Sequence, residues 1–206
     1  MKSLRESADR LELTGRIAAT VRDCVERSTM IGRVVWFFDR FFNMQIRQER
    51  PSDAAIIRFI TESAFKGLPH SDQTESKIID ALRAAGALTI SLIAIQGGEV
   101  IGHVAFSPVA INGKIDDWYG LGPLSVRPEH QKKGVGQALA RDGLHRLMSM
   151  KAAGCVVYGN PRYYGRFGFE SDTELYYGNV LSGYLQRVVF SGPTPRGEVT
   201  YLSVIR

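Results

Sequence analysis

Apolar residues recur at two different spacings along this chain, and the change between them divides it near residue 43. Leu4, Ala8, Leu11, Ile17, Val21 and Val25 return at roughly helical spacing with charges between them, and the aromatic, basic-flanked run "MIGRVVWFFDRFF" follows. This stretch reads as an N-terminal helical extension. Three roles stand open for it: packing on the main domain or a dimer partner, lying as an interfacial helix on a membrane, or being a leader outside the working protein. From Met44 onward, short strand and helix patterns alternate. "MQIRQER" reads as a strand, and Pro51 then breaks it ahead of a helix over residues 54–65 that Ser52 or Asp53 can cap. "QTESKIIDALRAAG" predicts a second helix, with Thr74 ahead of its charged first turn and Gly86 as its stop.

"LTISLIAIQ", a Gly97-Gly98 turn and "EVIGHVAFSPVAI" predict a hairpin rich in β-branched and aromatic residues. "WYGLGPLSV" is a further strand in which Gly120, Gly122 and Pro123 imply a bulge or an edge. A helix to about Met150 follows, with Val135, Ala138, Leu139, Leu147 and Met148 as its apolar stripe. "GCVVYGN" is a short buried strand, and "LQRVVF" and "EVTYLSVIR" are strand candidates around the "SGPTPRG" turn. The predicted class is α/β (α+β): one domain over residues 44–206 with a mixed, mostly antiparallel sheet, a central bulged strand and flanking helices, plus the extension over residues 1–43.

Composition changes this picture little. The 206 residues are 44% hydrophobic and 23% charged, which suits one soluble globular domain with an appendage. A net charge of +5 suits an anionic partner. Cys24 and Cys155 stand far apart in no metal-ligand spacing, so a disulfide scaffold is not expected and a reducing cytoplasm is the natural compartment. No apolar run reaches the ~20 residues a spanning helix needs. Glu6, Asp9 and Glu12 argue against a targeting peptide.

Candidate chemistry concentrates in "EHQKKGVGQALA", residues 129–140, where two lysines and two glycines stand ahead of a helix. The first turn of a helix carries unpaired N–H groups and partial positive charge, so phosphate is the first ligand to consider. The segment lacks both the dinucleotide and the P-loop spacings. In full, "LGPLSVRPEHQKKGVGQAL" resembles the acetyl-CoA-binding motif of the GNAT superfamily of N-acetyltransferases, with Leu124, Val126, Pro128, Gln131, Gly134 and Gly136 in register. "YYGRFGFE" resembles that family's second signature through Tyr164, Gly168 and Phe169, and "GHVAFSPV" with "NPRYYGRFGF" is similar to its bacterial YhbS-like branch.

The resemblance implies acetyl-CoA as cofactor. Its pantetheine arm would lie beside the backbone of Leu124, Ser125 and Val126, with the Val126 N–H donating to the thioester carbonyl. The pyrophosphate would rest on the amides of residues 131–136, with Lys132 and Lys133 adding charge and Val135, Gly136 and Gln137 opening the helix. Gly134 and Gly136 would lack side chains because one would block the approach. Tyr164 takes the family's tyrosine position as proton donor to the departing thiolate, with Tyr163 as its alternate at the cofactor. Asn160 either reaches the cofactor or caps the next turn. His130 reads as a loop residue. The carboxylate some relatives carry ahead of Leu-x-Val is absent, since Tyr119, Gly120 and Leu121 stand there; Asp116, Asp117, Glu62, His103 or a water chain are the remaining bases.

The leading expectation is an N-acetyltransferase acting on a primary amine of a small molecule, peptide or protein. The competing one is a catalytically silent acyl-CoA-binding sensor or scaffold. Neither nucleic acid nor membrane is an expected partner, no metal is expected, and a homodimer is possible. "FKGLPHSDQTE" would wall the acceptor, with His70, Asp72 and Glu75 either binding a cationic amine or forming a solvated loop.

Overall fold

A computed structural model describes residues 44–69, 71–178 and 183–202. The helices expected within residues 1–43, Cys24, His70 and the last four residues lie outside that set. Strand β3 (Glu99–Ile111) is the spine of the molecule. It pairs antiparallel with β2 (Ile90–Gln96) on one side and with β4 (Trp118–Val126) on the other. Strand β1 (Gln45–Gln48) joins β2 antiparallel, and β5 (Gly154–Tyr158) joins β4 as the one parallel neighbour in the row. Beyond β5 stand β8 (Leu185–Val189) and β6 (Glu170–Ser171), giving the order β1-β2-β3-β4-β5-β8-β6. The far end of β3 also pairs with β9 (Gly197–Tyr201), which in turn pairs with β7 (Leu175–Tyr176). The mixed, mostly antiparallel sheet with a bulged central strand is the expected architecture. The two-residue strands β6 and β7 are too short to leave a periodic signal.

Helices α1 (Ala54–Phe65) and α2 (Glu75–Ala84) cover one face, where Ile57 and Ile79 pack on Ile93. Helix α3 (Val135–Ser149) covers the other, where Leu139 and Leu147 pack with Leu92 and Ala94. Successive β2 side chains thus enter different cores, which is why "ISLIAI" is apolar without alternating. Two details of the helices differ from expectation. Neither Ser52 nor Asp53 caps α1 with its side chain; the Asp53 carboxylate instead accepts from the Arg50 N–H at 2.6 Å and from Arg47 at 2.7 Å, closing the 3-10 turn before the helix. The Thr74 hydroxyl likewise turns away from α2 and donates to Asp72 at 2.6 Å. Gly86 does stop α2: at φ +67° it lets the Ala87 N–H reach the Leu82 carbonyl at 2.9 Å.

The apolar stripe of α3 also runs differently from the expected one. Met148 is exposed and Ala138 half-buried, while Ala140, Gly143 and Leu144 are buried. The glycine explains the rotation. A Cβ on Gly143 would stand 2.1 Å from Phe106 Cε2, so the helix lies directly on the fully buried Phe106 ring only because no side chain intervenes.

Under α1 and α2 the sheet carries a buried polar cluster. Arg83 donates to both Glu49 oxygens, at 2.8 and 3.1 Å, and the Ser91 hydroxyl donates to the same carboxylate. His103 Nε2 lies 2.8 Å from Ser91 Oγ. Ser91 has one proton and gives it to Glu49, so His103 must donate through Nε2, leaving its buried Nδ1 without a partner among the described residues. Burial alone would raise the Glu49 carboxyl, but the His103 ring 3.7 Å away and the hydrogen bonds from Arg83 and Ser91 outweigh it and hold the group well below the usual carboxylate range. Burial lowers His103, more than its contact with Glu49 raises it.

Both shifts give acid sensitivity, because the unfolded chain binds protons that the folded one refuses. The His103 contribution falls away as pH drops through ~6.5, and that of Glu49 as pH drops below ~4.3. Urea denaturation should show stability declining from about pH 7 to about pH 5, and His103→Gln, which can still donate to Ser91, should flatten that decline; an unchanged slope would contradict the assignment. Gly143→Ala should cost about 1–3 kcal/mol in the same assay through its collision with Phe106, whereas an unchanged midpoint would show that the helix can shift freely.

Candidate functional site

The site begins at an irregularity in β4. The ladder pairs Val104 with Leu124 and Phe106 with Leu121, so Gly122 and Pro123 together stand opposite Ala105. Gly122 holds φ +141°, a conformation that favours glycine, and Pro123 has no N–H to give the ladder. Past the bulge, the ladder's phase decides what β4 presents. The Arg127 N–H donates to the Ile101 carbonyl at 2.9 Å, which makes that pair a hydrogen-bonded one. Bonded and non-bonded pairs alternate. Ser125 therefore bonds to β3, while Leu124 and Val126 turn their N–H and C=O groups to the opposite edge. On that edge β5 has already left, since it pairs with β4 only from Trp118 to Gly120.

The parted strands open into a cavity of about 660 Å3. Leu124 and Val126 line it, and the end of α1 adds Ala64, Phe65 and, just beyond, Leu68. The loop after β4 supplies Gln131, Lys132 and Gly134. The Gln131 amide donates to the Val126 carbonyl at 3.1 Å, tying the loop to the strand end. Lys132 at φ +58° and Gly134 at φ +87° turn the chain sharply into α3. The first helical bond runs from the Ala138 N–H to the Gly134 carbonyl at 3.0 Å, so the N–H groups of Val135, Gly136 and Gln137 have no helical acceptor.

The two glycines serve different ends. A Cβ at Gly134 would meet no atom of the described residues within 4 Å, and its φ of +87° is a conformation that favours glycine. At Gly136 room decides, because a Cβ would stand 2.8 Å from Tyr163 Oη.

The remaining wall comes from α4 (Pro161–Tyr164) and the 3-10 turn after it, through Tyr163, Tyr164 and Arg166. Tyr164 is wedged against Gly159, where a Cβ would meet its ring at 2.4 Å, and it packs edge-on to Phe169 at 5.9 Å. Burial raises the pKa of both phenols, with Tyr163 and Cys155 adding to the rise at Tyr164 and Arg166 opposing it at Tyr163. Both are therefore protonated at neutral pH.

Four of the expected cofactor residues do not bring side chains to the cavity. Ser125 faces α1, where its buried hydroxyl lies 3.2 Å from that of Thr61. Val135 is buried in the core, so only its N–H faces outward. Lys133 is exposed beside the site rather than lining it. Asn160 caps α4, accepting from the Arg162 N–H at 2.9 Å, which is the second of its two expected roles.

None of the candidate bases lines the cavity either. Glu62 is exposed and accepts from Ser76, His103 lies in the polar cluster under α1 and α2, and Asp116 and Asp117 stand exposed at the β3–β4 turn. In the expected acceptor loop, Asp72 accepts from Thr74 in a local turn. Phe65 and Leu68 come from the "FKGLPHSDQTE" segment expected to wall the acceptor, whereas Ala64 and Arg166 were not expected at the site. The i, i+4 spacing of Ala64 and Leu68 and the place of Arg166 inside "YYGRFGF" were the available signals.

A family model described as "Acetyltransferase (GNAT) domain" matches residues 45–171, more than half of the chain. An uncharacterized N-acetyltransferase of Escherichia coli (strain K12), YhbS, is 38% identical over 128 residues, which cover 62% of this chain and 74% of that protein. Among solved structures, a GNAT family acetyltransferase from Brucella melitensis in complex with acetyl-CoA is 47% identical, with a TM-score of 0.72 over 80% of this chain and 99% of the other. The Escherichia coli YhbS structure in complex with CoA is 32% identical, with a TM-score of 0.72 over 78% of this chain and 91% of the other. The parted strands, the glycine turn and the sequence match converge: this chain belongs to the GNAT acetyltransferase family.

Proposed function

We propose that this chain is an acetyl-CoA-dependent N-acetyltransferase that passes the acetyl group directly to a primary amine of a small molecule, peptide or protein while both substrates are bound. One observation carries the reading. The Leu124 and Val126 N–H groups on the edge that β5 leaves uncovered and the unpaired N–H groups at the start of α3 open on the same cavity. The first suits an amide-bearing arm laid alongside as a strand would be. The second suits a pyrophosphate. Acetyl-CoA carries both, and as a thioester it supplies an activated acyl carbon.

Each residue's part follows from its place. The Val126 N–H is a fixed donor on the open edge, suited to a carbonyl oxygen that gains charge. Lys132 and the amides of Val135, Gly136 and Gln137 serve the phosphates. Tyr164 is the proton donor to the departing sulfur. Its phenol, pushed above its ordinary value by burial, is a weaker acid than an ordinary thiol. It therefore stabilises a thiolate by hydrogen bonding more than by full proton transfer. Tyr163, whose hydroxyl abuts Gly136, belongs to the phosphate end. The amine sheds its proton to water, since no described carboxylate or imidazole lines the cavity.

That last feature also favours the second reading, a silent acyl-CoA-binding module, and turnover separates the two. With acetyl-CoA and a panel of primary amines, free thiol should appear in an amine-dependent manner. Tyr164→Phe should lower kcat by about a hundredfold, the low end for loss of a proton donor, with the Kd for acetyl-CoA unchanged. Binding without thiol release for any amine would establish the silent module, and a Tyr164→Phe variant with full kcat would remove that residue from the mechanism.

A further inference from the structure

The loop before α3 accounts for one cation at the cavity, Lys132, but a second one lines it from the α4 side, Arg166. Most other described arginines are committed to carboxylates: Arg47 to Asp53, Arg83 to Glu49, Arg146 to Asp142, Arg187 to Asp172, and even the largely exposed Arg196 to Glu174. Arg166 has no carboxylate partner among the described residues. Its guanidinium carbon instead lies 4.8 Å over the Tyr163 ring, and one nitrogen sits 3.5 Å from the Arg162 carbonyl. The stack spends the face of the guanidinium and the Arg162 carbonyl takes one Nη2 donor, leaving the other in-plane donors for an anion; in-plane donors are the ones that bind phosphate oxygens two at a time.

The ring beneath it is fixed in place. Tyr163 packs edge-on to Tyr164 at 5.0 Å and to Phe167 at 5.7 Å. Its hydroxyl also reaches the first turn of α3, 2.8 Å from where a Gly136 Cβ would stand. Arg166 is therefore held on the same rigid ring that touches the segment bearing the unpaired amides of Val135, Gly136 and Gln137. Arg166, Lys132 and the first turn of α3 at Gly136 and Gln137 thus line the same cavity.

We propose that Arg166 is a phosphate-binding residue that grips the pyrophosphate of the cofactor from the α4 side, facing the amides of α3. This rests on the reading of the cavity as an acetyl-CoA site and goes beyond it, because it makes the anion site two-sided and assigns the aromatic platform of Tyr163 the task of aiming a cation.

Calorimetric Kd values for acetyl-CoA, 3′-dephospho-acetyl-CoA and S-acetylpantetheine, with wild type, Arg166→Gln and Arg166→Lys, test it. Arg166→Gln should weaken acetyl-CoA and the 3′-dephospho form alike, by about tenfold, and leave S-acetylpantetheine unchanged. Arg166→Lys should recover part of the loss by restoring charge without the fork, and neither change should move the melting temperature of the ligand-free protein. Unaltered affinity for all three ligands in Arg166→Gln would overturn the proposal. So would a loss that extends to S-acetylpantetheine, which would mark a structural role, or a loss confined to the ligand bearing the 3′-phosphate. Wild-type protein that binds none of the three would overturn the cavity reading and Arg166 with it.

Discussion

Hydrogen-bond parity along β4 governs the rest of this structure. An antiparallel strand can satisfy only every second residue from one neighbour. Central strands answer the alternate residues from the other side. In β4 the bulge at Gly122 and Pro123 resets which residues face which way, just where β5 turns off after pairing with Gly120. The Leu124 and Val126 N–H groups and the Leu124 carbonyl are left directed at a gap, while the Val126 carbonyl is taken by Gln131. A sheet interior rarely leaves such groups without partners, since each costs on the order of 1–3 kcal/mol when buried unsatisfied. An extended ligand with amides of its own is what the proposed function sets against them. The cavity is thus a consequence of strand pairing before it is a matter of side chains.

The two faces of the sheet divide the labour around that gap. On the α3 side, Gly143 brings the helix down onto Phe106, which fixes where its amino end projects. On the α1 and α2 side, the Glu49–Ser91–His103 cluster and the Thr61–Ser125 pair hold β1, β2, β3 and β4 to the helices above them. Ser125 illustrates the division within one residue. Its side chain anchors the strand to α1 while its neighbours on either side turn their backbone to the cavity.

Much of this was legible in the residues. The order of strands and helices from Met44 followed from periodicity and turn chemistry, and Gly122-Pro123 announced the bulge because neither residue suits a regular ladder. The glycine-rich helix start and the Tyr164, Gly168 and Phe169 spacing marked the site. What escaped reading depended on which way a side chain points. Asn160 and Ser125 carry polar groups in the right segment, yet one caps a helix turn and the other bonds Thr61. The α3 stripe was displaced because a glycine contributes nothing to a hydrophobic pattern while permitting the closest packing. Arg166 reads as a surface cation until the stack on Tyr163 is seen.

The central claim, that the open edge of β4 and the first turn of α3 form one ligand site, is tested most directly by amide chemical shifts. In a ¹⁵N-labelled sample titrated with acetyl-CoA, the N–H groups of Leu124, Val126, Gly134, Val135, Gly136 and Gln137 should move together and saturate with a single Kd, while that of Ser125, bonded across to β3, should move far less. Shifts that spare Leu124 and Val126, or that gather elsewhere on the protein, would contradict the account.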